Sequence, residues 1–173
     1  MEIILQNSKL RKWKHEDAAS LALHANNKKI ADNLRDAFPH PYKIEDAKKW
    51  LEMALDNNEN LMLAIEVDGN AVGGVGIHQF SDVYRKTAEI GYWLSEQYWN
   101  RGIVTEAIKA ISEHAFANYD IVRLQAGVFH YNEASKKVLT KCGFTLEAIH
   151  KKAVIKNNIL LDECIFVKFN INK

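Results

Sequence analysis

Cysteine and proline are scarce in this sequence, at two residues each in 173. Cys142 and Cys164 lie far apart and form no CxxC pair, so neither a disulfide framework nor a zinc site of the usual spacing is indicated. Long apolar runs are missing as well. Ile3-Ile4-Leu5 is too short for a signal-peptide core and no stretch approaches membrane-spanning length, which argues against a membrane partner and for a reducing, cytoplasmic compartment. Excess charge is absent too: 23 Lys and Arg against 22 Asp and Glu leave +1, too little for general attraction to nucleic acid. The local run Lys9–Lys14 reads as a solvated strand edge before a phosphate-binding arm. The seven histidines show no i,i+4 pair beside a carboxylate, so no metal site is expected.

What is present is ordinary globular material, 47% hydrophobic and 26% charged, without repeats or a composition break. One domain over residues 1–173 is the expectation. Alternation from Lys9 to Trp13 predicts a first strand. Helical spacing follows from His15 to Ala25 and from Lys28 to Leu34. The two prolines sit in Phe38-Pro39-His40-Pro41-Tyr42, a stiff loop where helix cannot continue. Ile44 to Leu55 is helical again. Strands at Leu61–Val67 and Ala71–Phe80 flank the turn Asp68-Gly69-Asn70, and Thr87–Leu94 is a third. Then come an amphipathic helix over Val104–Asn118, a strand over Arg123–Phe129, a helix over Glu133–Lys141, and strands at Thr145–Ile155 and Ile159–Phe169 about Asn157-Asn158. This order predicts an α/β chain with a central mixed, mostly antiparallel sheet and helices on both faces. An exposed edge in the final strands would suit a homodimer.

The segment from Glu89 to Ala107 runs from a strand through a short loop into the long helix, which opens at Arg101-Gly102. The first turn of a helix leaves backbone N–H groups without partners and carries partial positive charge. Amides around Arg101–Thr105 therefore suit a diphosphate, although an isolated Arg-Gly pair more often marks a plain helix start. Asn132 and Ser135 stand one turn apart at the start of the next helix, where Asn132 is a natural N-cap, and Gly143 suits its left-handed end with Phe144 packing back. Both helices of one unit thus carry polar donors at their N-terminal ends, near the strand ends where ligands bind. Gly73-Gly74-Val75-Gly76 opens no helix and reads as close packing or a bulge.

These residues resemble a known family. Glu89-Ile90-Gly91-Tyr92-Trp93-Leu94, Tyr98-Trp99-Asn100-Arg101-Gly102-Ile103-Val104-Thr105-Glu106-Ala107, Asn132-Glu133-Ala134-Ser135 and Lys141-Cys142-Gly143-Phe144 are similar to the GNAT superfamily of N-acetyltransferases. Phe38-Pro39-His40-Pro41-Tyr42, with Asp46-Ala47 and Trp50-Leu51, resembles its ribosomal-protein alanine N-terminal acetyltransferase branch. The resemblance spans Lys9 to Phe169. It implies the GNAT acyl-CoA N-acyltransferase fold and acetyl-CoA as cosubstrate. Backbone at Trp93 and Leu94 would pair with the pantetheine and polarise the thioester, amides of Asn100, Arg101, Gly102, Ile103, Val104 and Thr105 would bind the pyrophosphate, Asn132 would hold the pantetheine, and Ser135 would lie near the sulfur. Two positions depart from the pattern: Val104 replaces glycine or alanine, and Ala148 replaces glycine.

Acetyl transfer needs a neutral amine, a stabilised oxyanion and a protonated leaving thiolate. The Leu94 N–H suits the oxyanion and Ser135 the thiolate, with Tyr131 a substitute on the same loop. Glu89 shares a strand face with Gly91 and Trp93 and is a candidate base, against the alternative of a carboxylate neutralised by Arg85 or Arg123; His78 is a weaker candidate. Phe38 and Tyr42 are expected at the rim of the acceptor pocket. Asp32, Asp36, Glu45 and Asp46 hint only loosely at a polyamine site. The expected activity is acetyl transfer to a primary amine, of a protein N-terminus or a small molecule, with a non-catalytic acyl-CoA-binding module as the alternative.

Overall fold

Period-two alternation makes the strands, and residues that tolerate positive φ close their turns. The computed structural model describes residues 1–57 and 60–171. Among these, eight strands form one sheet in the order β1-β2-β3-β4-β5-β6-β8-β7. They are β1 Glu2–Ile4, β2 Lys9–Lys12, β3 Leu61–Val67, β4 Asn70–Gln79, β5 Thr87–Leu94, β6 Arg123–Phe129, β7 Thr145–Lys156 and β8 Ile159–Phe169. Only β5 and β6 run parallel; the other neighbours are antiparallel. The helices are α1 Ala18–Ala25, the single turn α2 Lys28–Ala31, α3 Ile44–Asp56, α4 Ile103–Asn118 and α5 Glu133–Lys141. None is long and apolar enough to cross a membrane.

The two faces of the sheet carry different cores. On one, Leu21 and Ala25 of α1 and Ala47 and Leu51 of α3 pack over Ala64 of β3 and Ala71 of β4 with Trp13 and Tyr42. On the other, Ala107, Ile108 and Ile111 of α4 and Leu139 of α5 pack over Leu63, Val75, Ile90, Leu124 and Phe166. The turns follow their residue types. Asp68 and Gly69 have φ of 49° and 81°, and Asn157 and Asn158 have 50° and 62°, as tight antiparallel hairpins require. Gly143, at φ 83°, ends α5 and lets the Phe144 N–H reach the Leu139 carbonyl at 3.0 Å.

Three expectations need correction. The second helical segment is a single turn that stops at Ala31 rather than Leu34. A strand precedes the expected first one: β1 pairs with β2 and covers its edge. The run Lys9–Lys14 is consequently not a solvated edge throughout. Arg11 is 3% exposed and forks onto Asp17 at 2.7 and 2.8 Å, with a second ion pair to Glu66. The glycines of β4 serve close packing: a Cβ on Gly73 would fall 2.6 Å from the Trp93 carbonyl oxygen, and one on Gly74 2.9 Å from the Trp93 indole nitrogen.

Candidate active site

The site begins where two strands part. β5 and β6 pair only over Thr87–Glu89 and Arg123–Gln125, yet each runs on, to Leu94 and Phe129. A gap opens between them. On the other edge of β5 the Ser95 N–H donates to the Val72 carbonyl at 2.9 Å, so by alternation the Leu94 N–H and C=O point into the gap. The carbonyl accepts the Trp99 indole N–H at 2.7 Å. The Leu94 N–H has no partner among the described residues and is free to hold an oxyanion.

Beyond Leu94 the chain makes a short helical turn, Glu96–Tyr98, then doubles into α4 through Asn100 and Gly102, at φ of 61° and 79°. Glu106 N–H is the first to find a carbonyl across the start of α4, that of Gly102 at 3.0 Å. The N–H groups of Asn100, Arg101, Gly102, Ile103, Val104 and Thr105 have no acceptor among the described residues. Six free donors at the positive end of a 16-residue helix make an anion cradle. The Arg101 guanidinium lies 5.3 Å over the Tyr98 ring beside it. Val104 packs its side chain against the core. The loop is pinned from behind. Buried His24 of α1 bonds Ser95 Oγ at 3.0 Å and Gln97 Nε2 at 3.1 Å, and burial lowers its pKa, keeping it neutral. Asn27 donates to Glu96 at 2.7 Å. A Cβ at Gly102 would meet nothing within 4 Å, so its replacement carries only the backbone cost of a left-handed residue, about 1–2 kcal/mol. Gly102→Ala is expected to lower the melting temperature by about 2–8 °C in a thermal melt.

Across the gap, Asn132 caps α5 by accepting the Ser135 N–H at 3.1 Å, which fixes Ser135 in the first turn. Its hydroxyl lies 2.6 Å from the Tyr92 hydroxyl of β5. Burial pushes the Tyr92 phenol up to about 12, only partly offset by the Ser135 hydrogen bond. The pair therefore holds a proton through neutral pH. The sequence reading did not single out Tyr92, because period two puts it on the face opposite Gly91 and Trp93, where an aromatic reads as core. Cys142 beside it has its thiol pushed up by burial and bonds the Thr105 carbonyl at 3.4 Å.

The opposite face of the gap has a glycine floor, a trench in the sense that Gly76 and Gly91 present no side chain there. Register places His78 beside Glu89, Gly76 beside Gly91 and Gly74 beside Trp93. Gly91 is bare: a Cβ there would meet nothing within 4 Å. Phe38 forms one wall, 5.7 Å from Trp93 and 4.9 Å from Tyr42. Tyr42 is only 5% exposed, so it backs Phe38 rather than facing solvent; burial pushes its phenol to about 12. Glu89 pairs with Arg35 at 2.5 Å, not with Arg85 or Arg123, the latter holding Glu147. Desolvation lowers the His78 pKa, with Glu89 opposing and Arg35 reinforcing. The hairpin β7–β8 arches over this face to the segment after α2: Lys156 bonds Asp36 at 2.7 Å, Asn157 bonds Asp32 at 3.0 Å, and the Tyr131 hydroxyl donates to the Asp32 carbonyl. Tyr131 is thus spent as a strut, and Asp32 and Asp36 are already paired. No group of three metal-ligating side chains stands together among the described residues.

A family model described as an acetyltransferase (GNAT) domain matches residues 8–145. The chain belongs to the GNAT acetyltransferase family. It is 34% identical over 134 residues to a probable N-acetyltransferase of Bacillus subtilis (strain 168), YjcK, covering 75% of this chain and 74% of that one. It is 30% identical over 127 residues to the ribosomal-protein-serine acetyltransferase of Escherichia coli (strain K12), covering 72% and 70%. The structure superposes with a TM-score of 0.83, at 30% identity over 96% of this chain and 94% of the other, on the microcin C7 self-immunity acetyltransferase MccE, solved with acetyl-CoA and AMP.

Within this GNAT acetyltransferase, the residues predicted from sequence fall into three groups around one gap. Leu94 and the amides of Asn100–Thr105 line one side, Asn132 and Ser135 the other, and Glu89, Trp93 and Phe38 the trench behind. Ala148 lies at a register shift of β7 against β8, opposite Ile165.

Proposed function

We propose that the protein is a single-domain enzyme that transfers the acetyl group of acetyl-CoA to a primary amine, of a protein N-terminus or a small molecule. The observation that carries this reading is the parting of β5 and β6, which leaves the Leu94 N–H without a strand partner on the strand that also carries Tyr92, bonded to Ser135. Acetyl-CoA enters from the α4 and α5 side. Its pyrophosphate takes the free amides of Asn100–Thr105, and its pantetheine lies in the gap near the Asn132 side-chain amide, whose nitrogen has no partner among the described residues. The acceptor comes along the trench from the other face. Its nitrogen attacks the thioester carbon, the oxyanion takes the Leu94 N–H, and the leaving thiolate takes a proton from the Tyr92–Ser135 pair. Relatives named for ribosomal-protein acetylation support a protein amine as acceptor. The outer edge of β7 is unpaired and suits strand addition by a second copy.

The test is thiol release from acetyl-CoA against N-terminal peptides, polyamines and small amines. Acceptor-dependent release is the expected result. A thermal shift with acetyl-CoA but no release with any amine would leave an acyl-CoA-binding module, and absence of both would remove the coenzyme from the reading.

A further inference from the structure

A second glycine faces the gap, on β6. Gln125 of β6 is the register partner of Glu89, so Gly127 and Gly91, each two residues further on, stand level across the gap on the same face. Above Gly127 lies the side chain of Glu163 from β8. Register pairs Glu163 with Phe129, so it leans along the strand to reach this point, and a Cβ on residue 127 would overlap its Oε1 and stand 3.0 Å from its Cδ. Gly127 is what makes room for the carboxylate.

The carboxylates around the trench otherwise have cations. Glu89 has Arg35, Asp32 has Lys28, Asp36 has Lys156, Glu147 has Arg123 and Asp162 has Lys151. Glu163 is half-buried and has no hydrogen-bond or ion-pair partner among the described residues. Removing a carboxylate from water without a partner is unfavourable, and the natural complement is a small cation delivered by a ligand. Its place over Gly127, level with Gly91, sets it beside the gap between β5 and β6.

We propose that Glu163 receives the acceptor as its ammonium and takes the proton that the nitrogen must lose. The inference rests on the transferase reading above. One ammonium proton moves to Glu163 Oε1 and on to water, which frees the lone pair. The nitrogen then bonds the thioester carbon and gives a second proton to water. The C–S bond breaks with its electrons going to sulfur, and the thiolate is protonated by the Tyr92–Ser135 pair, itself refilled from solvent. Ammonium and thioester thus become amide, thiol and one released proton. Other titratable groups near Glu163 are His150, its register partner on β7, His130 after β6, and Glu89, Arg35 and His78 across the gap. The peptide α-amino group titrates near ~8, so pH profiles above ~7 report on the amine.

Kinetics of Glu163→Gln with alanyl-glycyl-glycine amide and with butylammonium test this. At pH 7 its kcat/KM is expected to fall about 100-fold, with acetyl-CoA affinity and melting temperature unchanged. For the peptide the deficit should shrink towards pH 9.5, where the amine arrives neutral. Gly127→Ala, which displaces the carboxylate, should lose activity in the same direction. A kcat/KM within two-fold of wild type, or a deficit flat with pH, overturns the role of Glu163 and leaves the transferase standing. Calorimetric titration of butylammonium into the CoA-saturated protein separates the two readings. Binding that weakens about ten-fold in Glu163→Gln, without turnover by wild type, keeps the ammonium site and removes the transferase. Neither turnover nor Glu163-dependent binding overturns both.

Discussion

Replacing Tyr92 with phenylalanine is expected to slow acetyl transfer by about 10²–10⁴-fold while leaving acetyl-CoA affinity within about two-fold. The reason is the hydroxyl pair. Ser135 alone is a poor acid, but its hydroxyl sits 2.6 Å from a phenol, and in the proposed reaction the two together pass a proton to the departing sulfur. Phenylalanine keeps the ring and its packing, so folding is little changed. Ser135→Ala breaks the same relay from the other end. The double variant should therefore be no slower than the worse single one, because groups acting as a unit are not additive. The pH profile provides a separate check. Burial raises the Tyr92 pKa to about 12, and a raised pKa keeps the donor protonated to higher pH. The wild-type rate should consequently show no alkaline fall from this group below pH ~10. Steady-state kinetics of the three variants from pH 6 to 10 read all of this. Equal kcat in wild type and Tyr92→Phe would remove the phenol from the reaction.

Arg11→Met is expected to be the most destabilising of the substitutions considered. The guanidinium is buried, forked on Asp17, paired with Glu66, and also donates to the Lys12 carbonyl at 3.0 Å. Methionine keeps much of the volume but strands Asp17 and leaves Glu66 with Lys9 as its one cation among the described residues, a loss of about 3–5 kcal/mol for a broken buried pair. At about 2–4 °C per kcal/mol for a chain of this size, the melting temperature should drop by roughly 10 °C. Acid should narrow a related gap. Burial by itself raises the Glu66 pKa, but hydrogen bonds from Arg11 and Lys9 outweigh it, and the net value lies below the usual 4.5. A depressed folded pKa adds stability above the unfolded value, and that stability is lost as pH falls through the folded one. The difference in melting temperature between wild type and Glu66→Gln should therefore be full at pH 7 and shrink below pH ~4. Calorimetric melts across pH measure both effects.

The parts of the site that could be read in the sequence are those made by contiguous chain. Gly102 and the polar first turn of α4 announce an anion cradle because helix ends leave donors free whatever packs around them. Asn132 announces a cap, and Ser135 follows one turn later. The strands from β3 onward, the hairpin turns at Asp68-Gly69 and Asn157-Asn158, and the α5 end at Gly143 were legible for the same reason. β1 was not, because three residues carry too little pattern to stand out. Tyr92 was hidden because its partner Ser135 is 43 residues away, and only the docking of α5 beside β5 brings the hydroxyls together. Period two also hid Glu163, which reaches Gly127 by leaning along its strand.

By itself, then, the sequence determined the elements, the turns and the cradle, since each depends on φ preferences, hydrophobic period and unpaired amides within a few residues. Tertiary structure decided which charges are neutralised and which remain free. Arg11 found Glu66 at a separation of 55 residues, Glu89 found Arg35 at 54, and Glu163 found no cation among the described residues. Charge pairing falls off over a few ångströms, and only the folded sheet brings such distant positions within that range.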